Sequence, residues 1–195
     1  MKRIVFSTVV ITAALILPAV AHAQTADQEA ALFVGYSYLR VDQNDAESGG
    51  AHGVVADYTY FMDRRFGFVL SAAANWGNVD AAENVFKIPE VTVRQSTFLG
   101  GPHATLWRTL TSELGVRALA GAAWRKSYGV NSSIEVSDEW AFAAGAEAHL
   151  DFRLSDKIWL RALQPAALWT NFGDRWQFNW RVSAGFVLRA GQILQ

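Results

Sequence analysis

The stretch RWQFNWRVSAGFVLRAG, Arg175 to Gly191, decides the fold. Every second residue from Trp176 to Leu188 belongs to one set: Trp176, Phe178, Trp180, Val182, Ala184, Phe186 and Leu188. The set between them is mostly polar: Arg175, Gln177, Asn179, Arg181, Ser183, Gly185, Val187 and Arg189. Side chains alternate across a strand, so this pattern gives one continuously apolar face and one mostly polar face. A helix would mix the two sets on every side. Strands of soluble domains average about 5–6 residues, whereas a tilted strand that crosses a bilayer needs about 9–11. The expectation is a transmembrane β-barrel that closes with this strand.

The amino terminus reads as a secretory signal. Lys2 and Arg3 precede an apolar run from Ile4 to Val20, and Ala21-His22-Ala23 forms a small-x-small cleavage site. An N-terminal anchor is the alternative, but the run is short for a spanning helix. Residues 1–23 are therefore assigned to the signal and 24–195 to a single barrel domain. Loss of Lys2 and Arg3 takes the formal net charge from −1 to −3. Nothing in that balance calls for a nucleic-acid partner. With no cysteine, an exported chain must hold together by hydrogen bonding and packing, as a closed barrel does. Hydrophobic residues make up 51% of the sequence, yet no run after Ala23 approaches the ~20 residues of a helical span. Apolarity spread as alternation is the barrel pattern.

Working back from the last strand, seven more alternating runs emerge. They cover about residues 31–40, 53–62, 66–77, 91–108, 113–125, 139–152 and 157–170. Residues 24–30 read as a polar lead. Polar connections of about 41–52, 78–90 and 126–138 separate strands at one end, and His52 falls in the first of them. Short turns at Asp63–Arg65, Thr109–Ser112 and Arg153–Asp156 serve the other end. A compact turn, Asn171–Asp174, precedes the last strand. Eight strands with long and short connections in alternation fit an outer-membrane barrel. Gly100, Gly101 and Pro102 invite a bulge in the fourth strand, and Pro165 invites one in the seventh. Arg161 and Gln164 are three apart, so a regular seventh strand cannot turn both inward.

The tryptophans fall near strand ends. Trp76, Trp124, Trp140, Trp169 and Trp176 lie toward the long loops, Trp107 and Trp159 toward the short turns, and Trp180 a little inside. Belts of aromatic rings at both membrane interfaces account for this. The interface set is taken as Trp76, Trp124, Trp140, Trp159, Trp169 and Trp176. Polar residues of inward parity should fill the interior: Glu113, Arg117, Glu147, His149, Asp151 and Arg181. Glu147, His149 and Asp151 share one strand face and could in principle bind a metal or move protons. A barrel of eight strands is only wide enough for side chains to fill it, so a paired structural network is the expected role.

ALFVGYSYLR (31–40), STFLGGPHATLWR (96–108), VRALAGAAW (116–124) and LRALQPAALWTNFGDRWQFNWRVSAGFVLRAG (160–191) resemble the outer-membrane β-barrel family related to the eight-stranded domain of outer-membrane protein A. The resemblance implies a Gram-negative cell-envelope location, outer-membrane lipid around the barrel and no defined catalytic residue or cofactor. Ser183, Gly185 and Leu188 match the pattern polar-x-Gly-x-x-hydrophobic-x-aromatic read by the barrel-assembly machinery, with Ala190 at the aromatic position.

The expected function is a structural or surface-interaction barrel, monomeric, with an unidentified loop ligand. A small porin-like pore or transport-related barrel is the alternative, opposed by diameter, since aqueous porin channels need about 16–18 strands. A lipid-modifying enzyme is a further reading. His103 followed by Thr105 loosely resembles the His-x-Ser of lipid A deacylases, but no matching acid is evident. A soluble ligand-binding barrel is the rival at the level of the fold.

Overall fold

The computed structural model describes residues 29–43, 46–80, 90–129, 135–173 and 175–191. The signal segment 1–23 lies outside them. Eight strands follow one another: β1 (Glu29–Gln43), β2 (Ala46–Phe61), β3 (Phe66–Asp80), β4 (Glu90–Arg108), β5 (Ser112–Gly129), β6 (Glu135–Arg153), β7 (Ile158–Phe172) and β8 (Arg175–Ala190). Each pairs antiparallel with its neighbours in sequence, and β1 pairs with β8 to close the barrel. Closure leaves no edge strand, so every strand has a partner on both sides. At the closing seam Gly35 faces Gly185. A Cβ on Gly185 would lie 2.3 Å from the Val34 carbonyl oxygen, so the two backbones meet there because neither residue has a side chain.

The apolar set of β8 faces outward: Trp176, Phe178, Phe186 and Leu188 are exposed, while Asn179, Arg181, Ser183, Val187 and Arg189 are buried. The same polarity holds around the wall, with Val34, Tyr36, Phe68, Leu70, Phe98 and Phe142 exposed. A soluble ligand-binding barrel would be polar outside, and this barrel is apolar outside and buries charged and polar residues beside its apolar ones. Along β6 the outward row Trp140, Phe142, Ala144, Ala146, Ala148, Leu150 and Phe152 is apolar throughout. At about 3.3 Å per residue it runs about 40 Å along the strand. Tilted by about 45°, it stands about 28 Å tall, which matches a bilayer's hydrocarbon core of about 30 Å.

Several expected boundaries move. β1 begins at Glu29, inside the anticipated polar lead. Much of the anticipated loops 41–52, 78–90 and 126–138 is paired strand, with β1 reaching Gln43, β3 reaching Asp80 and β5 reaching Gly129. Pairing is made by the backbone and does not need the apolar alternation, which ends where lipid contact ends. His52 is accordingly a β2 residue opposite Tyr38, not a loop residue, and it hydrogen-bonds the Tyr36 hydroxyl on the outer surface. Asn171 and Phe172 complete β7, and Gly173 turns the chain at φ 60°.

The bulge expected at Gly100–Pro102 is absent. Those residues pair in register with Leu70, Val69 and Phe68, and the β4–β5 register shifts instead between Thr105 and Trp107. On the β5 side the pairing passes from Gly100 to His103 with no partner for Gly101 or Pro102, so the N–H that Pro102 lacks falls in a gap of that ladder. In β7 the register shifts between Arg161 and Gln164. Ala162 and Leu163 are both exposed between them, so the two polar residues both point inward. At the turn after β2, the Asp63 carboxylate accepts the backbone N–H groups of Arg65 and Phe66, both at 2.7 Å. These bonds hold its pKa below the usual carboxylate range.

Candidate functional site: the filled interior

The inward parity of each strand delivers polar side chains to one axis. Glu113, Arg117, Glu147, His149, Asp151 and Arg181, singled out from the sequence, are all buried. They do not pair only with one another. Asp57 on β2 is their hub, and its Oδ2 accepts from Arg117 Nη1 at 2.6 Å, Gln164 Nε2 at 3.0 Å and Arg161 Nη1 at 3.3 Å. Glu147 accepts Arg181 Nη2 at 2.7 Å on Oε1 and Gln164 Nε2 at 2.9 Å on Oε2. Arg161 holds Asp151 bidentately, Nε to Oδ1 at 2.7 Å and Nη2 to Oδ2 at 3.0 Å.

Toward the short-turn end the network continues without a break. Arg189 lies 3.6 Å from Asp151 and donates to Glu29 and Glu113, each at 2.9 Å. Arg108 donates to the same two carboxylates, at 2.9 Å to Glu29 and 2.6 Å to Glu113. The carboxylates of Glu29, Asp57, Glu113, Glu147 and Asp151 are thus linked to the guanidiniums of Arg108, Arg117, Arg161, Arg181 and Arg189, and the formal charges cancel. Buried charges are tolerated when paired and hydrogen-bonded in this way. Planar guanidinium groups suit it, because one fork can bridge two carboxylates.

Aromatic rings pack the spaces between charges. The Arg161 guanidinium sits 4.5 Å from the Phe33 ring centroid and that of Arg189 4.0 Å from Trp159. Trp159 departs from the expected interface set: it is 7% exposed and faces inward. It shares inward parity with Arg161, two residues on, and parity overrides its position near a strand end. Trp76, Trp140, Trp169 and Trp176 do face outward, and Trp124 is half-buried. Above the charged layer, Leu39, Leu99, Leu119 and Leu168 fill the interior. Near the long-connection end, Arg125 lies 4.0 Å over the Phe172 ring and donates to Gln177.

Asp57, Arg161, Arg189, Gln164, Glu29 and Arg108 were not in the expected set. Asp57 and Arg189 carry inward parity in their strands and were legible by that rule. Arg161 and Gln164 needed the bulge. Glu29 lay in the supposed lead. His103 and Thr105 are buried on the inner face, 3.2 Å apart, so this pair is turned away from lipid.

No family model and no curated protein matches this sequence. Among solved structures, Ail, the attachment invasion locus protein of Yersinia pestis, superposes with a TM-score of 0.55 at 15% identity, over 83% of this chain and 99% of that one. Ail in complex with the heparin analogue sucrose octasulfate gives the same TM-score at 14% identity, again over 83% and 99%. Neisserial surface protein A gives a TM-score of 0.63 at 8% identity, over 82% of this chain and 96% of that one. The chain has the fold of the eight-stranded outer-membrane β-barrels.

Proposed function

We propose that this protein is a monomeric outer-membrane barrel whose interior is a structural plug and whose working surface is the rim on the long-connection side. The signal-like segment 1–23 supports export, and the apolar outer band supports residence in a bilayer. Passage through the barrel-assembly machinery follows from that location. The observation that carries the reading is the continuous ion-paired network across the interior, from Glu29 to Arg181. It fills the bore of a barrel that has no width to spare, and so opposes a pore. Catalysis is not part of the reading, since the one His-x-Thr pair faces the sealed interior.

The rim supports a role in surface interaction. β6 continues from Trp140 out to Glu135, which is about 16 Å of strand beyond the aromatic belt at about 3.3 Å per residue. The first outward residues past Trp124 and Trp140 are Lys126 and Asp138, ion-paired at 3.1 Å, and the Trp124 indole donates to Asp138 at 2.6 Å. Charge begins where the belt ends, which supports a membrane boundary there. A paired wall standing clear of the lipid can present loops to ligands or other cells, and attachment, as in the name of Ail, is one such use. Planar-bilayer recording of the refolded monomer tests the plug. The expected result is no stable conductance, and large, long-lived, ion-selective openings would contradict it.

A further inference from the structure

Among the described residues, one group of possible metal ligands joins the plug through Glu113 and adds two histidines that the ion pairs do not use. His103 on β4, Glu113 on β5 and His149 on β6 each offer a ligand atom, and those atoms lie within 4.8 Å of one another with all three residues buried. We propose that this cluster is a binding site for a single divalent transition-metal ion of the Zn2+ type, held inside the barrel near its short-turn end. The inference goes beyond the plug reading and does not depend on whether the barrel conducts.

Three observations converge. First, each of the three residues keeps a buried side-chain atom with no hydrogen-bond partner. Glu113 gives Oε2 to both Arg108 and Arg189, while its Oε1 has no hydrogen-bond partner. His149 has none on either ring nitrogen, and His103 has none on Nδ1. Buried polar atoms in such a state are uncommon and call for a ligand or other partner. Second, the rings are already gathered. The imidazoles of His103 and His149 stack with centroids 5.2 Å apart, and His149 Nε2 is 3.7 Å from Glu113 Oε1. Third, the floor is hollowed for them. Gly115 pairs with Thr105 on one side and His149 on the other. A Cβ there would sit 2.3 Å from His149 Cε1 and 2.8 Å from His103 Cε1. Glycine is the residue that lets both rings converge.

The donor set selects the ion. Two imidazoles and one carboxylate suit Zn2+ and its neighbours, with bonds of about 2.0–2.2 Å and ligand atoms therefore about 3.4 Å apart around a tetrahedral ion. The ring-nitrogen lone pairs lie in the ring planes, and these planes are 26° apart, so binding requires one imidazole to turn out of the stack toward the ion. Ca2+ and Mg2+ prefer all-oxygen shells with an excess of carboxylate. The Thr105 hydroxyl, 3.2 Å from His103 Nε2, orients that ring as an outer-shell partner does. The arginine and carboxylate layer at the short-turn end covers the cluster, so the ion is expected to be taken up during folding.

The test uses untagged protein refolded into detergent in the presence of Zn2+ or Co2+, freed of excess ion and assayed for bound metal. The expected result is one ion per folded barrel, visible d–d absorption with Co2+, and no retention of Ca2+ or Mg2+. His149→Gln and Glu113→Gln should each weaken retention by at least the ~10–100-fold that loss of an outer-shell partner costs. Gly115→Ala keeps every ligand but fills the floor and should also reduce retention. His52→Gln, at the one histidine after residue 23 that lies outside the cluster, should leave it unchanged. Should the interior variants fail to fold, X-ray absorption of Zn2+-loaded unmodified protein decides, and two imidazoles in the first shell are expected. Folded protein that retains no ion, retention that depends on His52, or a first shell without two imidazoles would overturn the site. Conductance recordings on metal-free protein bear on the plug alone, so the two readings fail separately.

Discussion

At the scale of single residues, Asp57 is the position on which most depends. Three donors from β5 and β7 converge on its Oδ2. Asp57→Ala leaves Arg117 and Arg161 charged and short of a partner inside the barrel. Breaking a buried pair from one side costs about 3–5 kcal/mol, whereas an exposed pair is worth about 0–1 kcal/mol. The exposed Arg153–Asp156 pair in the β6–β7 turn supplies the control. Urea unfolding in micelles, followed by tryptophan fluorescence, should show Asp57→Ala strongly destabilised and Asp156→Ala nearly unchanged. Equal losses for the two would mean that the interior network contributes no more than a surface pair. The sequence marks Asp57 only by parity, between Val55 and Thr59. Its partners lie 60, 104 and 107 positions away in sequence, a relation that only closure of the barrel creates.

At the scale of elements, β7 shows what alternation conveys and what it hides. Arg161 and Gln164 cannot share a face in a regular strand, and the extra residue at Ala162-Leu163 lets them do so. Deleting Ala162 would leave the two polar residues two apart, on one face without a bulge. Deleting Ala146 removes an equally small outward alanine from a stretch of β6 with an unbroken register. That deletion throws either Glu147, His149 and Asp151 or the residues before them onto the lipid face. The Ala162 deletion should refold to the compact, heat-modifiable form on gels, and the Ala146 deletion should not. The opposite order would mean that the β7 irregularity is not an inserted residue. The bulge of β4 was harder to read. Gly100, Gly101 and Pro102 suggest a break by composition, but the shift occurs at Thr105–Trp107, where composition gives no sign. Glycine in a strand can equally mark close approach of a neighbour. A Cβ on Gly101 would lie 2.0 Å from the Ala118 carbonyl oxygen.

At the scale of the whole molecule, the number of strands, their order and the outward face were legible because lipid imposes period-two apolarity on every crossing. The strand ends beyond the belt were not, because backbone pairing there carries no apolar signature. The interior was half legible. Parity names its members, but the pairing among them and the inward turn of Trp159 depend on shear and bulges. The gathering of His103, Glu113 and His149 comes from three adjacent strands and was invisible for the same reason. The central claim is that the apolar face meets lipid and the polar face fills the barrel. The chain has no cysteine, so single cysteines placed along β8 and spin-labelled in bilayers give a clean scan. Accessibility to a lipid-soluble quencher should peak at Val182, Ala184, Phe186 and Leu188 and fall at Arg181, Ser183, Gly185 and Val187. Peaks on the second set, a period near 3.6, or uniform shielding of the first set would contradict the account.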